Sequence, residues 1–269
     1  MNKLIAKTIL VKSKLPLSDY CYNPYVGCTH NCKYCYAHFM KRFTGHDNDV
    51  WGKFLDYKEN AIEVLSKEIV KTNVEDSIFI ASVTDCYQPV ESKLELTRKS
   101  LEIFKEYNSN VSILTKSDLV VRDIDILKDM KNVEVGISIG ILNDEYAKIL
   151  EPGATLPSKR IEALKKLYDA GITTYVFIGP IIPGISDIES TILAVKDYVH
   201  FIMAEAINSS GADKQVFIPE LNKIFGEDKT KRCLENANDE KYWNKVEVKF
   251  NDLCEKYNTQ NKGFFRHKN

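Results

Sequence analysis

The chain lacks an apolar stretch long enough to cross a bilayer. Its longest uncharged run, Ala170 to Ser186, is broken by Pro180, Pro183 and three glycines, and it falls short of the roughly 20 apolar residues that a spanning helix needs. A secretory signal is lacking too, because Lys7 interrupts Leu4 to Val11 and no small-residue cleavage site follows. Charge of one sign is also missing: 37 basic residues stand against 38 acidic ones, a net charge of -1. As a whole, such a chain does not attract nucleic acid or an anionic membrane. No internal repeat or low-complexity tract interrupts the 269 residues, a length that fits one large domain or one domain with an appendage.

The cysteines are seven, an odd number. Without an export signal they do not read as a disulfide framework; a reducing, cytoplasmic location and metal or redox chemistry are expected. Three of them, Cys28, Cys32 and Cys35, crowd the stretch NPYVGCTHNCKYCYAHFM. A structural zinc site takes four ligands, usually as two pairs. His30 and His38 are near, but no second paired motif follows, and Cys86, Cys233 and Cys254 stand alone. Thiolates also hold iron–sulfur clusters, one per iron of a [4Fe–4S] cube. Three thiols would leave the fourth iron open to a substrate or cofactor.

From Tyr20 to Asn208, short β-rich runs alternate with helical patterns in six units. Examples are SIFIASV, VSILT, VEVGISIG and TTYVFI, with a helix of Ile161, Leu164 and Leu167 periodicity between the last two. Such alternation predicts parallel βαβ units, whose functional residues gather at the C-terminal strand ends. Polar residues do fall there: Thr84-Asp85, Lys116-Ser117, Ser138, and Glu205 with Asn208. Beyond Ser210 the pattern changes to charged helices. The expected division is residues 1–19 as an N-terminal strand or extension, 20–210 as the core, and 211–269 as a mostly helical C-terminal extension.

The C-x3-C-x2-C spacing, with Tyr34 before the last cysteine and a strand before the loop, resembles the radical S-adenosylmethionine (radical SAM) superfamily. SVTDCYQPVE, ILTKSDLVVRDIDIL, EPGATLPSKRIEALKKLYDAGI and IGPIIPGISD are similar to its spore photoproduct lyase-like group, also called DNA repair photolyases. FMKRFTGHDNDVWGKFLDYKE resembles the subgroup named radical SAM mobile pair protein B. The resemblance implies a partial (β/α)6 TIM-type barrel of α/β class with a helical C-terminal extension. It implies a [4Fe–4S] cluster on Cys28, Cys32 and Cys35, and S-adenosylmethionine as the second cofactor. Reductive cleavage of the latter would give a 5′-deoxyadenosyl radical that abstracts hydrogen from an unidentified substrate.

The same resemblance suggests roles for single residues. Tyr34 would pack on the cluster loop and the adenine. Thr84 and Asp85 would bind the amino group of S-adenosylmethionine, and Lys116 and Arg160 its carboxylate. Ser138 would bind ribose hydroxyls or the carboxylate. Each has a plainer alternative: a turn-capping Asp, an exposed Lys, a surface helix Arg. Cys86 stands where many relatives read T-D-P-Y-Q-P; it is the candidate hydrogen or electron donor, or else a packing residue. Lys33, His38, Lys41, Arg42 and His46 would form a basic rim or a solvated loop. An external electron donor of flavodoxin or ferredoxin type and a partner protein encoded nearby are the implied partners, with no membrane. Nucleic acid is disfavoured by the balanced charge, so lesion repair is the alternative activity and a non-catalytic metal-loop binding module the alternative class.

Overall fold

The apolar runs between Tyr20 and Ala206 lie side by side as parallel strands, as near-continuous hydrophobic segments do when both faces are covered. A computed structural model describes residues 1–267, and the last two residues of the expected C-terminal extension lie outside the described residues. Its strands are β1 (Lys3–Leu4), β2 (Leu10–Lys12), β3 (Tyr20–Tyr22), β4 (Tyr25–Val26), β5 (Asp56–Lys58) and β6 (Ser77–Ile80). They continue with β7 (Asn110–Thr115), β8 (Val133–Ser138), β9 (Thr173–Ile181), β10 (Phe201–Ala206) and β11 (Asn261–Phe265). The longer helices are α1 (Ala61–Glu68), α2 (Leu96–Glu106), α3 (Pro157–Asp169), α4 (Ile188–Val195), α5 (Lys214–Phe225), α6 (Glu227–Ala237) and α7 (Glu240–Lys256).

Among the described residues, eight strands form one sheet in the order β11-β10-β9-β8-β7-β6-β3-β2. The run from β3 to β10 is parallel throughout, which is the expected partial (β/α)6 barrel. It stays open, with β2 antiparallel on one edge. The C-terminal extension differs from a purely helical one: after α5, α6 and α7 the chain returns as β11 and pairs parallel with β10. A separate small sheet of β1, β5 and β4 frames the cysteine loop. Strand β6 is shorter than its apolar run, because Ala81 takes φ 67 and turns the chain out of the sheet.

Alternation along the strands divides the core. Val111, Ile113, Val135, Ile137, Ile178 and Ile202 pack toward the helices. On the opposite, concave face Tyr175, Phe201 and Met203 form a second cluster with Leu114, Phe177 and Phe265. Gly136 is required there, since a Cβ would fall 2.1 Å from the Tyr175 ring. That ring crosses β8 so that its hydroxyl donates to the Ile113 carbonyl at 3.0 Å, and it stacks on Phe201 at 4.8 Å. The concave face is thereby filled at its N-terminal end and left to the C-terminal end, where the cysteine loop lies.

Candidate active site

The cysteine loop is held from three sides. Gly27 takes φ +84, with the Phe54 carbonyl only 2.6 Å from where a Cβ would stand. From the segment after β6, Thr84 donates its hydroxyl to the Gly27 carbonyl at 2.6 Å, and the Gln88 side chain accepts from the Thr29 amide at 2.9 Å. From the turn before α3, the Leu150 carbonyl accepts from the Lys33 amide at 2.8 Å, and the Gly153 amide donates to the His30 carbonyl at 2.9 Å. A Cβ on Gly153 would sit 2.1 Å from the Thr29 carbonyl oxygen, so loop and turn touch backbone to backbone.

Cys28, Cys32 and Cys35 carry free thiols on partly exposed residues. Burial pushes all three thiols up, Cys32 to about 12, and the charges of Cys32, Cys35 and Asp85 add to the effect at Cys28. A bound metal would offset that cost of ionisation, since a coordinated thiol is held deprotonated. Three thiols without a fourth loop donor fit a cube in which each binds its own iron.

Around the loop, the structure redistributes the expected roles. Asp85 is buried and both its oxygens are committed: it accepts from the Thr115 hydroxyl at 2.7 Å, the Lys116 amide at 2.8 Å and the Tyr87 amide at 2.9 Å. His30 of the cluster loop adds its Nδ1 at 3.3 Å. Burial disfavours this charge, but His30 and the hydrogen bonds outweigh it and hold the carboxyl well below the usual range. Asp85 thus ties the segment after β6 to the end of β7 and to the loop. Thr84 likewise faces the loop backbone.

Arg160 is neither a surface residue nor a free clamp. It is fully buried, donating Nε to the Thr155 carbonyl at 2.6 Å, Nη1 to the Ser138 carbonyl at 3.0 Å, and Nη2 to Glu151. Glu151 also accepts from the Tyr34 hydroxyl, so Tyr34 is anchored below the loop with its edge against Phe217. The Ser138 hydroxyl donates to the Gly179 carbonyl at 2.9 Å. Cys86 is wholly buried in the main core cluster, and its carbonyl accepts from the Thr97 hydroxyl at 2.8 Å. His46 leaves the expected rim as well, bridging Asp49 and Asp56 and stacking on Phe54 at 3.9 Å.

Lys116 keeps its freedom. It is half-buried and makes no ion pair among the described residues, while its Nζ lies 5.8 Å above the Tyr34 ring. Its charge is felt at Cys32, Cys35 and Glu151. Beyond the loop the turn Tyr36–Phe43 presents a row of rings, Tyr36 stacked on Phe39 at 6.5 Å and Phe39 edge-on to Phe43 at 6.3 Å. A cleft of about 380 Å³ there is lined by Tyr36, His38, Phe39, Lys41, Arg42 and Ser210 among others. Sequence reading missed Glu151 and Gln88, which gained importance only through the partners described above.

Comparison with known proteins agrees with this geometry. Residues 22–194 match the family described as the Radical SAM superfamily. An uncharacterized protein of Methanocaldococcus jannaschii is 38% identical over 206 residues, 77% of each chain. A protein of Pseudomonas phage M6 named radical SAM Nalpha-GlyT isomerase is 27% identical over 215 residues, 77% of this chain and 43% of its own. Among solved structures, spore photoproduct lyase complexed with dinucleoside spore photoproduct superposes with a TM-score of 0.70 at 15% identity, covering 98% of this chain and 82% of that one.

Proposed function

Because the chain belongs to the radical SAM superfamily, whose cofactors are a [4Fe–4S] cluster and S-adenosylmethionine, we propose that it is an enzyme abstracting a hydrogen atom from a substrate on the concave face of its open barrel. The cluster and S-adenosylmethionine, when bound, supply a 5′-deoxyadenosyl radical. The chain's own part begins with Cys28, Cys32 and Cys35, which hold the cluster through a loop braced before any cofactor arrives. Lys116, an unpaired cation beside the loop, binds the methionyl carboxylate by a charge-assisted contact. Tyr34, Glu151 and Arg160 keep the loop in register with β8 without touching the substrate. An electron donor of flavodoxin or ferredoxin type approaches on the loop side.

The observation that carries this reading is the juxtaposition of three partly buried cysteines with Lys116, which makes no ion pair among the described residues, at the C-terminal strand ends, where the chemistry of such barrels is placed. One relative is named an isomerase and one structural neighbour a lyase, so rearrangement or cleavage of a substrate is the reaction class we favour, on a molecule of about nucleoside size. A net charge of -1 does not suit a duplex DNA ligand, which needs several phosphates neutralised. The test is anaerobic reconstitution followed by reduction with S-adenosylmethionine present. About three to four irons per chain, as a cubane cluster requires, and formation of 5′-deoxyadenosine are expected. A fully loaded protein that yields no 5′-deoxyadenosine would overturn the proposal.

A further inference from the structure

The C-terminal strand brings a second chemical feature to the mouth. On β10, Ile202, Ala204 and Ala206 join the helix-side core, while Phe201 and Met203 join the concave cluster. Alternation therefore places Glu205 on the concave face, one step beyond Met203 and at the C-terminal end of the strand. Strand β11 pairs with β10 so that Phe265 lies beside Glu205. Two residues on, His267 Nε2 meets Glu205 Oε1 at 3.2 Å. Both side chains remain in reach of solvent, at 26% and 33% exposure. The charge of Glu205 is felt by Tyr36, next to the cluster ligand Cys35. Below the pair the wall is apolar and flat, with Phe177 and Phe265 stacked at 6.4 Å above Leu114 and Met203.

A carboxylate beside an imidazole offers an acceptor and a donor side by side, at the open end of an apolar, aromatic trough. We propose, building on the radical-enzyme reading above, that Glu205 and His267 are the substrate-positioning pair. They would take a planar group carrying N–H and C=O next to each other, an imide, lactam or carboxamide edge, while its body lies against Phe177 and Phe265. The other oxygen of the Glu205 carboxylate accepts from the N–H, and His267, whose Nε2 faces Glu205, donates through Nδ1 to the C=O. Such an edge occurs in uracil-type nucleobases and in simple amides. The pair joins a residue of β10 to one just beyond β11, which only the C-terminal return brings together, and this gives β11 a role in specificity.

Reconstituted protein is titrated with uridine, N3-methyluridine and N-acetylglycinamide, alongside Glu205→Ala and His267→Ala, with iron content and S-adenosylmethionine affinity as controls on the fold. Wild type should bind uridine or the amide, and N3-methyluridine about tenfold more weakly than uridine, since one well-placed edge contact is worth about 1–3 kcal/mol. Preference for uridine assigns the edge to a nucleobase, and preference for the amide to a carboxamide. In both variants the preference should vanish. Variants with a lower melting temperature but an intact preference would reduce the pair to a strut between β10 and β11 and overturn the inference, as would a wild type binding none of the probes. A wild type that shows the preference but forms no 5′-deoxyadenosine would support the pair and refute the radical reading instead.

Discussion

Replacing Arg160 with methionine should be among the most damaging single changes in this chain. The side chain is fully buried and makes three bonds, to Thr155, Ser138 and Glu151. Methionine fills part of the volume but leaves the equally buried Glu151 carboxylate with only the Tyr34 hydroxyl. An orphaned buried charge costs about 3–5 kcal/mol, against a typical total stability of about 5–15 kcal/mol. Urea unfolding at neutral pH should show that loss as a lower midpoint with unchanged slope. The double variant Glu151→Met/Arg160→Met removes both charges and should lose less than Arg160→Met alone. The pH dependence has a definite sign. Burial raises the Glu151 carboxyl, but Arg160, Lys116 and Tyr34 more than offset this and depress it. Its contribution is therefore present above the ordinary carboxylate range and lost as pH falls through the depressed folded value. Below about pH 4, where carboxylates protonate, the gap between Arg160→Met and wild type should narrow. A loss under about 1 kcal/mol, or a double variant whose cost equals the sum of the singles, would refute the reasoning.

Cys28→Ala, Cys32→Ala and Cys35→Ala should each abolish iron loading, while Cys86→Ala, Cys233→Ala and Cys254→Ala retain it, measured by iron analysis after anaerobic reconstitution. Lys116→Ala should weaken S-adenosylmethionine binding by about 1–3 kcal/mol, the worth of a charge-assisted bond, with its melting temperature unchanged. Asp85→Asn should show the opposite split, near-normal affinity in calorimetry and a lowered melting temperature. Gly153→Ala drives a Cβ to 2.1 Å from the Thr29 carbonyl; it should cost about 1–3 kcal/mol as overpacking does and reduce iron content, and full loading in this variant would mean that loop and turn are not coupled.

The strands were readable because β-rich, apolar runs alternating with helical periodicity leave little choice but parallel units, and because polar residues at their ends marked the functional edge. Strand β11 was not readable. NKGFF is short, contains Gly263 and has exposed residues at its start, so it becomes a strand only through its pairing with β10. The cysteine loop was legible from spacing alone. The roles of Asp85, Ser138 and Arg160 were not, because residue type announces that a polar atom can bind something and is silent on whether the fold already occupies it. Arg160 did carry a signal: with Ala163, Leu164 and Leu167 it lies at i, i+3, i+4 and i+7 on the buried stripe of α3. An arginine on such a stripe must find an internal anion, and Glu151 lies at the end of the preceding helical turn.

The division between committed and free polar groups is what gives this site its direction. Asp85, Glu151 and Gln88 all face the cysteine loop, yet each is fully engaged with backbone or with buried partners, so none can follow a ligand. They fix the loop from the segment after β6, by Asp85 and Gln88, and from the turn before α3, by Glu151. Fixing thiols in a buried place raises their cost of ionisation, as the upward shifts of Cys28, Cys32 and Cys35 show. That cost is relieved by metal, since a coordinated thiol is held deprotonated. The remaining groups, Lys116 on one side of the mouth and the Glu205–His267 pair on the other, stand at the ends of β7 and β10 with the apolar surface of two strands, β8 and β9, between them. A cofactor held by the loop and Lys116 therefore meets a substrate held by Glu205 and His267 across that surface, and the open edge of the barrel is the side from which both can enter.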